Sequence, residues 1–232
     1  MMTGPRYAIY FVPAADTALY RFGAAALGYD CFTGADIATL DALPVDAGAW
    51  RELTREPRRY GFHATLQAPF HLAAGRTEAE LIGVFVEFSA TIDSTPAIEP
   101  AVCLLQHFAA IVPATVGAGL DRLAASCVKH FDGFRAPLTS ADRSRRLAAH
   151  LTARHIGHVE RWGYPYVFED FRFHMTLTGA LSADRQEPML AYLQDGLACS
   201  HGDRPIAIDR LALLRQDDPA ARFVVLAHSA IS

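Results

Sequence analysis

A chain of 232 residues with 51% apolar content is long enough to bury a sizeable core and to close as one unit of two lobes. Its formal charge of −4 excludes a broad basic face for gripping long nucleic acid, but leaves room for a local pocket that takes a small anion. Cys31, Cys103, Cys127 and Cys199 lie far apart with no C-x-x-C pair, so neither a disulfide framework nor a zinc knuckle is signalled, and reduced thiols in a cytoplasmic protein fit best.

Tyr7 to Val12 is short, aromatic and β-branched, which predicts a buried strand. It stops at Pro13, too soon for a signal-peptide core or a membrane span. Asp16 is placed to start a helix through Leu27. The stretch 29–57 holds the turn formers Gly34, Pro44 and Gly48, then Arg51 and Arg55, and runs on to Arg58 and Arg59; it reads first as solvated surface and otherwise as a mobile, basic loop beside a site. From Gly61 to Ala68, His63, Thr65 and Gln67 alternate with Phe62, Ala64, Leu66 and Ala68, a strand with one polar face. Thr77 and Glu80 form a capping box for a helix from about Glu78 to Ala90. Ile98 to Leu105 and Phe108 to Val112 read as a hairpin turning at Gln106 and His107.

The second half repeats this order. Ser140 caps a predicted long helix from Ala141 towards Trp162, weakened at Gly157. Phe171 to Leu177 is again a strand, with Arg172, His174 and Thr176 on one face, followed by Thr178. Asp184 and Glu187 resemble a further cap, and Leu190, Leu193 and Leu197 give the buried stripe of the helix that follows. Ile206 to Leu214 and Arg222 to Ala227 close as a hairpin around Asp217, Asp218 and Pro219. The repetition predicts an α+β fold: one bilobal domain over residues 1–232, two pseudo-symmetric lobes, antiparallel sheets facing a central cleft and helices outside.

Phe-His-x-Thr-Leu occurs twice, at His63 and at His174. A single copy is most simply a hydrogen-bonded strand; two copies in matching surroundings point to a site. Displacement at phosphorus needs a proton taken from the incoming oxygen and one given to the departing oxygen, and two imidazoles on opposed strands supply both. Thr65 and Thr176, one pleat away, offer hydroxyls to the non-bridging oxygens. Which histidine is base and which acid is not readable from sequence. Tyr7, Arg58, Arg59 and Arg172 are candidate substrate contacts, Arg172 foremost because it shares the face of His174. His150, His155 and His158 are spaced poorly for a metal, with no carboxylate pair to complete a site, so no metal and no cofactor are expected. His71, beyond Pro69, is left as an unassigned pocket or surface residue.

At these residues the chain resembles the 2H phosphoesterase superfamily, which is named for two H-x-T or H-x-S motifs on a bilobal fold shared by RNA cyclic phosphodiesterases and 2′,5′ RNA ligases. The motifs are His63-Ala64-Thr65-Leu66 and His174-Met175-Thr176-Leu177, and the wider stretches from Tyr60 to Phe70 and from Phe171 to Gly179 look like a bacterial branch associated with phosphonate-utilisation operons. The resemblance implies metal-independent general acid/base cleavage of a small phosphodiester or cyclic phosphate. Its implied partner is a small phosphorylated substrate rather than a membrane or a long nucleic acid. The rival is a non-catalytic binding protein for a phosphorylated metabolite or RNA end; two intact proton carriers favour the enzyme.

Overall fold

The computed structural model describes residues 4–115, 117–147 and 151–231. Its first half runs β1 (Arg6–Phe11), α1 (Ala18–Leu27), β2 (Tyr29–Asp30), β3 (Ala35–Asp36), α2 (Ala47–Leu53), α3 (Arg55–Arg58), β4 (Ala64–His71), α4 (Glu78–Ala90), β5 (Ala97–Ile98), β6 (Pro100–Leu105) and β7 (Phe108–Pro113). Then come α5 (Ala118–Phe131), α6 (Ser140–Leu147), α7 (Ala153–Trp162), β8 (Met175–Thr176), α8 (Ala183–Ser200), β9 (Ile206–Ala207), β10 (Arg210–Gln216) and β11 (Val224–Ala230). Seven strands make an antiparallel sheet in the order β11-β10-β1-β4-β8-β7-β6, and β2-β3 and β5-β9 are small ladders beside it. The α+β class expected from the sequence is therefore present. The two halves of the sheet, β11-β10-β1-β4 and β8-β7-β6, run on into one another through a seam of a single ladder pair, Ala64 with Met175.

Several elements form for the reasons visible in the sequence. The α4 capping box is complete, the Thr77 side chain accepting from the Glu80 amide and the Glu80 carboxylate accepting from the Thr77 amide. Thr17 rather than Asp16 caps α1, and Gly28 ends it in the left-handed region at φ 67°. Gly23 in α1 lets the helix sit against Phe62, whose ring lies 2.2 Å from where a Cβ would be, so the residue flanking His63 is clamped into the core. No helix among the described residues is long and apolar enough to cross a membrane.

Four expectations change. The two His/Thr strands begin later than predicted, at Ala64 and Met175, because the carbonyls of Gly61 and Arg172 are taken by the imidazoles of His63 and His174 instead of by a neighbouring strand. β4 also continues through Pro69 to His71: its pairing with β1 shifts between Tyr7 and Ile9, so the proline falls at a bulge where no amide is required. The single long helix towards Trp162 is instead α6 and α7, since Thr152 opens a new helix with its own capping box to His155. His150 lies outside the described residues. Lastly, α5 was not anticipated at all; Leu120, Leu123, Ala124, Cys127, Val128 and Phe131 form its buried side.

Candidate active site

The two motif histidines are held the same way. His63 Nδ1 lies 2.9 Å from the Gly61 carbonyl and His174 Nδ1 lies 2.8 Å from the Arg172 carbonyl, in each case two residues upstream. A carbonyl only accepts, so each Nδ1 carries the hydrogen and each neutral ring keeps its lone pair on Nε2. The Thr65 hydroxyl, 3.2 Å from His63 Nε2, can donate to the lone pair of that neutral ring. Since Ala64 pairs with Met175 in an antiparallel ladder, continuing the register by one residue each way sets Thr65 across from His174 and His63 across from Thr176. Thr65 and His174 do line one cavity together.

His63 has a second layer of support. The ring of Tyr10 stacks on it with centroids 3.9 Å apart and planes inclined by 24°, and Tyr60 stands at 6.1 Å. Burial lowers the His63 pKa to about 4, partly opposed by the Gly61 carbonyl and reinforced by the nearby His174. Gly61 holds its carbonyl in place at φ 75°, where a Cβ would come within 2.7 Å of the Cys31 Cβ. His63 therefore rests neutral, with an Nε2 lone pair available to a proton.

Thr65, Ala68 and Tyr164 are shared by two adjoining cavities. One, of about 600 Å³, contains His63 and Tyr10 and is ringed by Arg6, Arg59, Arg145 and Arg146. The other, of about 380 Å³, contains His174 and Arg172 and has an aromatic wall including Phe108, Tyr166 and Phe168. The cleft is thus charged at the His63 end and apolar at the His174 end.

Of the residues expected to contact substrate, Arg59 and Arg172 line the cleft and Tyr7 and Arg58 do not. Arg172 donates to the Phe171 carbonyl at 2.8 Å and reaches the second cavity. Arg58 is buried and spent on structure: its Nε donates to the Leu27 carbonyl at 2.6 Å and an amino group donates to Thr54 Oγ1 at 2.5 Å. Tyr7 hydrogen-bonds Glu78 of α4 at 2.8 Å, which raises its pKa to about 12 through burial and the adjacent carboxylate. Strand alternation turns Tyr7 away from the cleft and brings Arg6 and Tyr10 into it. That alternation was available in the sequence; nothing there signalled Arg146. Thr178 is likewise internal, taking the Ala109 amide at 2.9 Å, while His71 lines the first cavity.

His158, Glu169 and Asp170 come together after all, with ligand atoms within 4.8 Å of one another. Arg154, however, already grips both oxygens of Asp170, at 2.7 and 2.6 Å, and His155 stands 3.3 Å from it. Asp170, its pKa lowered to about 2 chiefly by Arg154, is thereby an anchor for the turn leading to His174.

Residues 65–224 match the family described as "Protein of unknown function (DUF1045)". Two relatives carry the name ribose 1,5-bisphosphate phosphokinase PhnN. The one from Janthinobacterium sp. (strain Marseille) is 37% identical over 225 residues, 94% of this chain and 49% of the relative. The other, from Laribacter hongkongensis (strain HLHK9), is 32% identical over 94% of this chain and 50% of the relative. The chain spans about half the length of both. Solved structures resemble it more loosely: a conserved protein of unknown function, ATU0111, from Agrobacterium tumefaciens str. C58 (13% identity, 98% of this chain and 86% of that one, TM-score 0.45), and E. coli LigT complexed with 3′-AMP (14%, 99% of each, TM-score 0.43). By its match over residues 65–224, more than half of its length, the chain belongs to the DUF1045 family.

Proposed function

We propose that this chain is a 2H-type phosphoesterase that hydrolyses a small phosphodiester or cyclic phosphate without a metal, in the phosphonate metabolism that the sequence resemblance implies. The observation that carries the reading is the matched pair of imidazoles, each with Nδ1 committed to the carbonyl two residues before it and Nε2 left for chemistry. The neutral resting state of His63 favours it as general base. Its Nε2 takes a proton from the attacking water as the new P–O bond forms. His174, protonated, gives its proton to the departing ester oxygen as the old P–O bond breaks, leaving a phosphomonoester and an alcohol. Thr65 and Thr176 donate to the non-bridging oxygens while charge is redistributed.

The kinase in the relatives' name is not carried over. Phosphoryl transfer from a nucleotide on a P-loop needs a G-x-x-x-x-G-K-[ST] loop, and the only lysine here, Lys129, sits in α5 without such a loop before it. What the name contributes is a substrate class, a ribose bearing phosphates. A turnover screen over ribose and nucleoside cyclic phosphates, 2′,5′ linkages and phosphonate esters, with His63→Ala and His174→Ala as controls, tests the reading. Turnover that survives both substitutions would refute it.

A further inference from the structure

We propose that the Arg6–Arg146 end of the cleft is a second anion subsite, which holds a terminal phosphomonoester of the substrate while a different, diester phosphate reacts between the histidines. This rests on the phosphoesterase reading for the reacting phosphate only.

Four arginines ring that end, and they are not equivalent. Arg145 is paired with Asp142 at 2.6 Å, and Arg59 donates to the Pro219 carbonyl and approaches Glu56 at 3.5 Å. Arg6 and Arg146 have no carboxylate partner among the described residues. Arg6 is oriented by the neutral amide of Gln216, its Nε donating to Oε1 at 2.7 Å. Arg146 donates one amino group to the Pro69 carbonyl at 3.3 Å, and its Nε is buried with no hydrogen-bond acceptor among the described residues. Burial lowers its pKa, Arg145 and Arg6 add to the lowering, and Tyr164, whose ring centroid lies 5.6 Å from the guanidinium carbon, and Asp142 oppose it. A desolvated guanidinium beside others of the same sign is unfavourable unless an anion completes it. Behind the two lies a hollow of about 30 Å³, room for one water, which supplies an acceptor but no charge.

The reacting diester carries one negative charge, and it already has the threonine hydroxyls and the imidazoles. Two guanidiniums are matched instead to a phosphomonoester dianion, which accepts from the amino hydrogens that Gln216 and the Pro69 carbonyl leave uncommitted. His63 and the arginines line the same cavity, so one small molecule with a phosphate at either end occupies both. The relatives' name supplies such a molecule, a ribose with phosphates on C1 and C5. Adding water across one P–O bond of a cyclic phosphate on ribose 5-phosphate gives a ribose bisphosphate with no other reactant. The reaction is then of the class that supplies a ribose bisphosphate to a kinase.

Two measurements test this. In calorimetric titrations of ribose 1,5-bisphosphate, Arg146→Gln and Arg6→Gln should each weaken binding by roughly 10- to 100-fold, the worth of a hydrogen-bonded ionic contact, and Arg146→Lys should recover part of it. Equal binding by wild type and both Gln variants overturns the subsite; Arg6, at the strand end, decides the matter if Arg146→Gln unfolds. In turnover, a ribose cyclic phosphate bearing a 5-phosphate should be preferred over its 5-hydroxyl counterpart, and the preference should collapse in the Gln variants. Turnover of both without preference sinks the subsite and spares the phosphoesterase. Arginine-dependent bisphosphate binding with no turnover of either sinks the phosphoesterase and spares the subsite.

Discussion

Tyr10 and His63 lie face to face, their ring centroids 3.9 Å apart, although β1 and the approach to β4 are distant in sequence. The stack keeps water from one face of the imidazole and fixes the plane in which Nε2 points. Tyr10→Leu should therefore act on His63 as a positioning change. We expect a loss of roughly 1–3 kcal/mol in stability from the buried ring, and a pKa of His63 that moves up towards the ordinary value as water gains access. Tyr10→Phe should keep both properties. Histidine titrations followed by NMR in the three proteins would show whether the stack, rather than the hydroxyl, sets the imidazole.

Replacing either motif histidine by alanine should lower kcat on an active substrate by roughly 10²- to 10⁴-fold and leave the fold intact, because both rings stand off the core face of the sheet. Circular dichroism beside steady-state kinetics decides this, and a variant retaining near wild-type turnover would remove that residue from the proton transfers.

The acid side of the pH profile follows from His63. Its pKa is pushed down to about 4, and a base must be neutral, so activity should persist well below the ordinary imidazole value near 6.5 and fall only as pH drops through the lowered pKa. Stability carries the same sign. The unfolded chain binds a proton at this residue near pH 6.5 and the folded one does not, so the contribution is whole above that pH and is lost progressively as pH falls towards about 4. Melting temperatures at pH 7.5 and 5 should separate wild type from His63→Gln, with wild type losing more.

Gly61 has no tolerated replacement. A Cβ there meets Cys31 at 2.7 Å on a backbone at φ 75°, and relief of either strain moves the carbonyl that holds His63 Nδ1. Gly61→Ala should depress both the melting temperature and kcat, whereas Gly83→Ala, where nothing lies within 4 Å, should leave both unchanged.

Activity should withstand EDTA. The protonated and neutral imidazoles and the hydroxyls need no divalent ion, and Asp170 of the His158 cluster is already engaged by Arg154. Asp170→Asn should loosen the turn before His174 and lower kcat and the melting temperature together. Recovery of kcat on adding zinc or manganese to EDTA-treated wild type would reverse the assignment.

Most of what was legible in the sequence was periodic. The alternation around His63, the capping box at Thr77 and Glu80 and the hairpin at Gln106 all correspond to elements of the fold. What escaped depends on contacts that a local pattern does not contain. The strand expected over Phe171 to Leu177 contracts to Met175–Thr176 because the Arg172 carbonyl is taken by the imidazole of His174, shortly after a turn at Phe168–Asp170 held by Arg154. Arg58 looked like a substrate contact because its charge was visible and its three acceptors, scattered over Leu27, Arg51 and Thr54, were not. Arg146 reaches the cleft only because α6 ends over Pro69, a placement made by tertiary packing.

The seam between β4 and β8 bears on how the protein comes to life on synthesis. Ala64 and Met175 are brought together from distant parts of the chain by one ladder pair, whereas the β6–β7 hairpin forms locally and the β1–β10 ladder, from a still greater separation, rests on five pairs. Long-range pairings of this kind close late, after their loop entropy has been offset by the elements on either side. The two motif histidines are therefore brought to one sheet only by long-range pairing, the β4–β8 join on one side of β4 and, through β1, the still longer-range β1–β10 ladder on the other. The same narrow join should be among the first to open under denaturant, so that competence disappears while much of the helix and hairpin content remains.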